Sequence, residues 1–481
     1  MGLGSEVAIP FLLMVVFGAF VMGMFSLTLP IPDLLQPDSA GYLEFSPKRT
    51  LGYPLILAAV AHFDPSFRTL PFLQMLTLIL SAAALIEACN RLYPAGIVWI
   101  FVGLVGLLNP FLWRYTMMIM TDSIYASLCM LALASFFMAI LHRSRGTAWL
   151  IMTGTLIGIA ISVRPSAYAI LIAICIGTAF WKARVVQAFA ALAAPALGCV
   201  LALSTWNWAE RGIFGTQLAG GIEIIGNVAL LIPADLPGKN HEIAAQIAAD
   251  LTPLSSPLAT SPASIGNARD YYWVSYETLG PVRDQIIEKL TNVVLDRAVT
   301  NGETLNTTST SLRVNELAWD ITKDTIVTRP LAYFRSAVIH FIALWTLPII
   351  STHQEDTHVR SMLCDAGFLC EGSGVAVRVF VPHFFGLTKD VVMTAAMLLS
   401  IALPFVIAFK GSDSALGCAM AVTALCINGN FAVAAMVEAG IPRYAMPMWP
   451  LVCIMIAGTV LFVVKDPRSS IFGGLSGKRA K

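Results

Sequence analysis

Ten runs of roughly twenty apolar residues divide the chain, near 7–29, 69–90, 95–112, 121–141, 147–163, 165–181, 185–206, 389–409, 414–437 and 441–464. A helix rises about 1.5 Å per residue and a bilayer core is about 30 Å thick, so each run is close to the length of one crossing. Composition points the same way. Of the 481 residues 57% are hydrophobic and 12% charged, about half the charge of a soluble domain. Thirty basic residues against 29 acidic ones leave no positive field for a nucleic acid. A cytosolic enzyme, a disordered chain and a nucleic-acid binder are excluded. The predicted fold is an all-α polytopic membrane protein of about 10–12 transmembrane helices. The first run has no basic leader and no small-x-small cleavage site before Pro30, so it reads as an anchor.

Lys and Arg in short connections set the orientation. His142-Arg143-Ser144-Arg145, Lys182-Ala183-Arg184, Lys410, Lys465 and the tail Lys478-Arg479-Lys481 fall on one side if the runs alternate. That side is expected to be cytoplasmic, with both termini inside. The loops at 30–68, 112–121, 206–334, 352–388 and 438–441 then face outward. The expected organisation is an N-terminal transmembrane module over 1–205 with a functional first outer loop at 30–68, an external helical region over 206–388, and C-terminal transmembrane helices with a basic tail over 389–481. An apolar stretch at 335–351 breaks the parity, so it lies in the interface, dips in and returns, or pairs with a second crossing hidden in 374–388.

Residues 206–334 hold 9 basic and 14 acidic residues, the charge of a solvated unit. Helical periodicity is expected near 239–251, 277–299 and 311–327, with Ile286, Leu290, Val293 and Val294 recurring at helical spacing. Ser255–Gly266, rich in Ser and Pro, reads as a loop. Seven of the nine cysteines lie in apolar runs. Cys364 and Cys370 share the polar loop CDAGFLC, as a small disulfide outside the cytoplasm or as two thiols.

Ionisable groups at the edges of apolar spans are costly and therefore functional candidates. They concentrate on the outer side. Asp38, Tyr42, Glu44, Lys48 and Arg49 follow the first span, with Gly52-Tyr53-Pro54 turning back toward the membrane; Arg114 and Asp122 flank the fourth; Arg164-Pro165 joins the fifth and sixth; Glu438 and Arg443-Tyr444 open the last. Arginine clamps phosphate oxygens, and a carboxylate can take the proton of an attacking hydroxyl. Such a face suits a reaction between a water-side acceptor and a lipid phosphate. Blander roles compete. Asp38 and Asp122 both stand where a helix cap belongs. Arg68, Arg114 and Lys48 suit headgroup anchors, and Glu438 with Arg443 suits a simple ion pair. Trp206, Trp208, Trp345 and Tyr115 read as interfacial belt residues, and His340 and His383 as core histidines. Asn306-Thr307-Thr308 matches a glycosylation sequon.

The order Asp38-Ser39-x-x-Tyr42, then Arg49-x-x-Gly52-Tyr53-Pro54-Leu55, resembles the first outer loop of the GT-C class of integral-membrane glycosyltransferases. It is similar to that of bacterial protein O-mannosyltransferases and of the aminoarabinose transferases that modify lipid A. Thr121-Asp122-Ser123, Arg164-Pro165 and Arg443-Tyr444-x-x-Pro447 continue the pattern. The resemblance covers roughly 1–205 and 389–464 and leaves out 206–388. It implies an inverting transferase in the plasma (inner) membrane, active on the periplasmic or extracellular side. Such an enzyme moves a sugar from a polyprenyl-phosphate donor to a lipid, glycan or protein acceptor. Asp38 would be the catalytic general base, or orient the acceptor hydroxyl, and Asp122 would be the second catalytic acidic position, facing the same cavity in support. Tyr42, Arg49, Tyr53, Arg114, Arg164, Glu438, Arg443 and Tyr444 would bind substrate, with Arg49, Arg164 and Arg443 gripping the donor phosphate. The first loop lacks an Asp-x-Asp or Asp-Glu pair, and His353 and His358 share only the polar loop HQEDTH. No metal ligand is therefore assigned, and a divalent cation is left open as a cofactor. The rivals are a transporter or flippase, which would string charge through the midplane and break helices in matching halves, and a polymerase or ligase of lipid-linked glycans, which would place its motifs in the large loop.

Overall fold

The computed structural model describes residues 9–28, 33–36, 38–142, 145–180, 185–218, 220–259, 266–346, 375–410, 414–437 and 442–465. Among them every regular element is a helix. In chain order these are α1 (Ile9–Thr28), α2 (Ser39–Leu43), α3 (Gly52–Phe63), α4 (Leu70–Leu92), α5 (Gly96–Leu107), α6 (Pro110–Thr116), α7 (Asp122–Leu141), α8 (Gly146–Val163), α9 (Ala167–Phe180) and α10 (Val185–Arg211). There follow α11 (Gly220–Val228), α12 (His241–Ala259), α13 (Gly266–Thr300), α14 (Thr307–Thr328), α15 (Pro330–Thr346), α16 (Val375–Lys410), α17 (Ala415–Val437) and α18 (Trp449–Lys465).

Among the described residues eight stretches are long and apolar enough to cross a membrane: α1, α4, α7, α8, α10, Val391–Phe409 of α16, α17, and Met446–Val464 ending in α18. The protein is a multi-pass membrane protein. A ninth crossing is made if α5 and α6 count as one span, bent by 64°. The bend has a local cause. Asn109 accepts the amides of Phe111 and Leu112 (3.0 and 3.2 Å), and Pro110 cannot continue the ladder of α5 but suits the first turn of α6. Counted over the described residues, that is fewer than the expected ten to twelve, in part because the apolar run 165–181 gives a helix shorter than a full crossing. Arg164-Pro165-Ser166 takes up a turn, and α9 keeps 14 residues, about 21 Å.

The stretch at 335–351 forms α15 as far as Thr346. Tyr333 donates to the Met436 carbonyl at 2.8 Å, near the C-terminal end of α17. Trp345 then reaches Asn428 (3.3 Å) and Phe431 (ring centroids 5.2 Å) in mid-helix. The helix therefore descends along α17 from its C-terminal end and stops partway. Leu331, Phe334, Val338 and Ile342 form an exposed apolar stripe, the arrangement of a helix facing lipid. Trp345 is accordingly a buried packing residue and not part of an interfacial belt. Trp206 and Trp208 are exposed at the end of α10.

A second core lies outside the bundle. Val282, Ile286, Leu290 and Val294 line one face of α13 and pack with residues of α11, α12 and α14, while Val293 sits partly buried at the edge. This unit runs from about residue 220 to Tyr333, narrower than 206–388, because α10 continues to Arg211 and α15 and α16 belong to the bundle. Helix α12 also continues through Ser255–Ala259, where a loop was expected; an established helix propagates through residues that would not start one. The unit is docked at the C-terminal end of α17, where Asn227 donates to the carbonyls of Ala435 (3.1 Å) and Met436 (2.9 Å). It is tied to the first loop through Leu218 N–H to Pro47 O (2.9 Å), and Arg211 at the end of α10 donates to Phe45 O (2.6 Å). Cys364, Cys370, His353 and His358 lie outside the described residues.

Candidate functional site

Four separated segments bring five charged side chains into one alternating ladder. Arg49 Nη2 lies 2.5 Å from Asp38 Oδ1, and Asp38 Oδ2 accepts from Arg443 Nη1 at 2.9 Å. Arg443 Nε continues to Asp122 Oδ2 at 3.2 Å, and Asp122 Oδ1 accepts from Arg164 Nη1 at 2.8 Å. Asp38 caps no helix with its side chain, and neither does the Thr121 that precedes Asp122. The competing capping role for the two carboxylates is thus absent, since all four of their oxygens face guanidiniums.

The ladder has a sealed end and an open end. Side-chain exposure is 0% for Asp122, 13% for Arg164 and 18% for Arg443, against 30% for Arg49 and 33% for Asp38. Rings back the cations. Tyr444 lies under Arg164 at 4.7 Å with Tyr125 at 5.6 Å, Tyr42 under Arg49 at 5.0 Å, and Tyr115 under Arg443 at 5.9 Å.

Local folding explains how each member is held. Ser39 Oγ donates to Ile119 O (3.0 Å) and Ile119 N–H to Leu34 O (2.9 Å), which pins the first loop to the turn before α7. Phe45 takes a left-handed backbone, φ 52°, uncommon for a bulky residue, and its carbonyl receives Arg211. Thr50 Oγ1 donates to Val163 O at 2.9 Å, fastening the residue after Arg49 beside Arg164. Buried Gln74 of α4 organises the approach to Asp122. Its amide donates to Thr116 O and Met118 O (3.0 and 2.9 Å), and its carbonyl oxygen accepts from Ser123 and Tyr53 (3.1 and 3.3 Å). A buried amide so fully satisfied rigidifies what it touches.

Three guanidiniums against two carboxylates leave the ladder with net positive charge. Burial would raise the Asp38 carboxyl, but Arg49 and Arg443 outweigh it and hold it below the ordinary carboxylate range. Asp38 therefore stays ionised at neutral pH. A divalent cation does not fit the acids as arranged, because their oxygens are spent on cations and the local field is positive. Among the described residues no three His, Cys, Asp or Glu side chains gather as a metal site.

Of the residues singled out by sequence, Asp38, Tyr42, Arg49, Asp122, Arg164, Arg443 and Tyr444 come together. Tyr53 does not line the open face. It is fully buried, edge-on to Tyr42 at 5.2 Å, and bonded to Gln74. Arg114 stands half-exposed on the last turn of α6 beside Tyr115. Glu438 lies outside the described residues. Sequence reasoning missed Tyr115, read as a belt residue, and also Gln74, Tyr125, Asn430 and Glu223. Tyr125 is three residues after Asp122 and so shares its face; Ser166 donates to its hydroxyl at 3.1 Å and Asn430 at 3.3 Å. Glu223, one of the negative charges acting on Arg49, also accepts from Arg283 at 2.9 Å. A polar residue inside an apolar run is the signal that would have found Gln74, Asn430 and Glu223.

Comparison of the chain with models of protein families, with curated proteins and with solved structures gave no match.

Proposed function

We propose that the protein is an inverting glycosyltransferase that takes a sugar from a polyprenyl-phosphate donor and passes it to a hydroxyl-bearing acceptor at the outer face of the membrane. The observation that carries this reading is the Arg49–Asp38–Arg443–Asp122–Arg164 ladder, cationic overall and open only at Asp38 and Arg49. It stands where the loop after α1, the start of α7, the turn between α8 and α9 and the segment before α18 come together. In the reaction the acceptor oxygen forms a bond to the anomeric carbon while the bond from that carbon to the phosphate oxygen breaks, its electron pair leaving with the polyprenyl phosphate. Negative charge grows on the leaving group, and fixed guanidiniums stabilise it more in the transition state than before. Arg49, a third exposed and spending Nη2 on Asp38, is the member best placed to meet that phosphate.

Asp38 accepts the hydroxyl proton. Its depressed proton affinity suits a late transfer, since the hydroxyl becomes strongly acidic only as its oxygen bonds to carbon. Asp122 is sealed and is assigned a positioning role, fixing Arg164 and Arg443. The transporter reading has less support, because these charges gather at one end of the spans and not along the midplane. Arg145 lies at the opposite end, which agrees with an outward-facing site.

The test is turnover of a labelled polyprenyl-phosphate sugar by purified protein in lipid nanodiscs. Asp38→Asn is expected to lower transfer by about 100-fold or more, the usual scale for a lost general base, with the melting curve preserved. Transfer at the wild-type rate by a folded Asp38→Asn protein rules out the assignment.

A further inference from the structure

In the second core lies a cleft of about 340 Å³ between α13, the start of α14 and the tip of the first loop. That volume is within the range of small-ligand pockets, about 300–1,000 Å³. Ile222, Ile287 and Leu305 supply an apolar wall, while Thr291, Thr310 and Ser311 supply hydroxyls. Lys48 is the one charged residue among those lining it.

The hydroxyls have a stated polarity. Thr291 donates to Ile287 O at 2.7 Å and Thr310 to Asn306 O at 2.9 Å. Their protons are committed within their own helices, and their oxygens are left to accept. A ligand that fits must therefore bring hydroxyl donors for the threonines, an apolar ring face for the wall and an anionic group for Lys48. A sugar bearing a carboxylate or a phosphate has all three.

The cleft also connects to the ladder through the chain. Lys48 precedes Arg49, and Ile222 precedes Glu223, whose charge acts on Arg49. We propose that this cleft binds an anionic saccharide and, on the glycosyltransferase reading, is the subsite that presents the acceptor to Asp38.

The experiment uses the full chain in lipid nanodiscs with glucose, glucuronate and glucose 6-phosphate as probes, read by saturation-transfer difference NMR. Glucuronate and glucose 6-phosphate are expected to bind about tenfold more tightly than glucose, the scale of one charge-assisted hydrogen bond. Lys48→Gln should erase that difference, and Leu305→Trp, which fills the cleft, should weaken all three probes. Equal binding of the three probes, or an anion preference that survives both variants, overturns the proposal. Parallel incubation with a polyprenyl-phosphate sugar separates the two readings. Binding that depends on Lys48 without any transfer keeps the cleft and rejects the transferase. Transfer unaffected by Lys48→Gln and Leu305→Trp keeps the transferase and rejects the cleft.

Discussion

Asp38 and Asp122 are alike in sequence setting and unlike in environment, and the difference assigns their roles. Asp122, fully enclosed between Arg164 and Arg443, belongs to the class of buried charges whose loss strands its partners. Asp122→Ala should destabilise the protein by about 3–5 kcal/mol, seen as a large fall in melting temperature. Replacing Arg164 by Lys should be nearly as harmful, since a point charge cannot keep the fork and the stacking on Tyr444. Asp38→Asn, at the exposed end, should cost stability about 1 kcal/mol or less while lowering turnover by about 100-fold or more. Its carboxyl is depressed in the folded protein. It therefore adds stability that is complete above the ordinary value near 3.8 and is lost as pH falls through the folded value. Thermal melts stepped from about pH 5 to about pH 3 should fall less steeply for Asp38→Asn than for wild type. The ladder's members could be read from sequence because a charge at the edge of an apolar span is costly and so conspicuous. Tyr115 could not be read in the same way, and Gln74, conspicuous as a polar residue in an apolar run, could be flagged but not given its role. A tyrosine at a membrane boundary has an ordinary reason to be there, and only the path of α4 beside the 116–120 turn gives the glutamine its role.

Helices were legible wherever apolar length alone decides, as in α4, α7 and α17. The junction at Arg164-Pro165 was legible too, whereas the break at Asn109-Pro110 inside the run 95–112 was not. Asn109→Ala should lose two capping bonds, about 1 kcal/mol, and loosen the bend that carries Tyr115 to Arg443. The contact between α3 and α8 is tighter still. A Cβ on Gly52 would meet the backbone carbon and oxygen of Ser162 at 2.7 Å, besides its side chain. Gly52→Ala should cost about 1–3 kcal/mol by overpacking and move Arg49, raising the donor KM. Because the obstruction includes backbone, adding Ser162→Ala should not restore the melting temperature. Retention of wild-type stability and KM by Gly52→Ala would contradict this account of how Arg49 is held.

At the scale of the whole molecule, the bundle supplies a fixed floor and the 220–333 unit a roof, with the first loop tied to both through Thr50, Leu218 and Arg211. The unit was visible in sequence as a charged stretch of helical period. Its limits were not, because α15, with its exposed apolar stripe, and the charged helices before it are all helical in period and differ chiefly in the core they pack against. The topology predicts that Lys48→Cys and Arg145→Cys, in a chain lacking Cys364 and Cys370, react with an impermeant maleimide from opposite sides of the membrane. If the ladder holds a lipid phosphate, it must tell a polyprenyl phosphate from the matching polyprenol, and native mass spectrometry compares the binding of the two most directly. The phosphate should bind wild type at least about tenfold more tightly than the alcohol, and Arg49→Ala should remove most of that difference. Equal binding of phosphate and alcohol, or a preference untouched by Arg49→Ala, would contradict it.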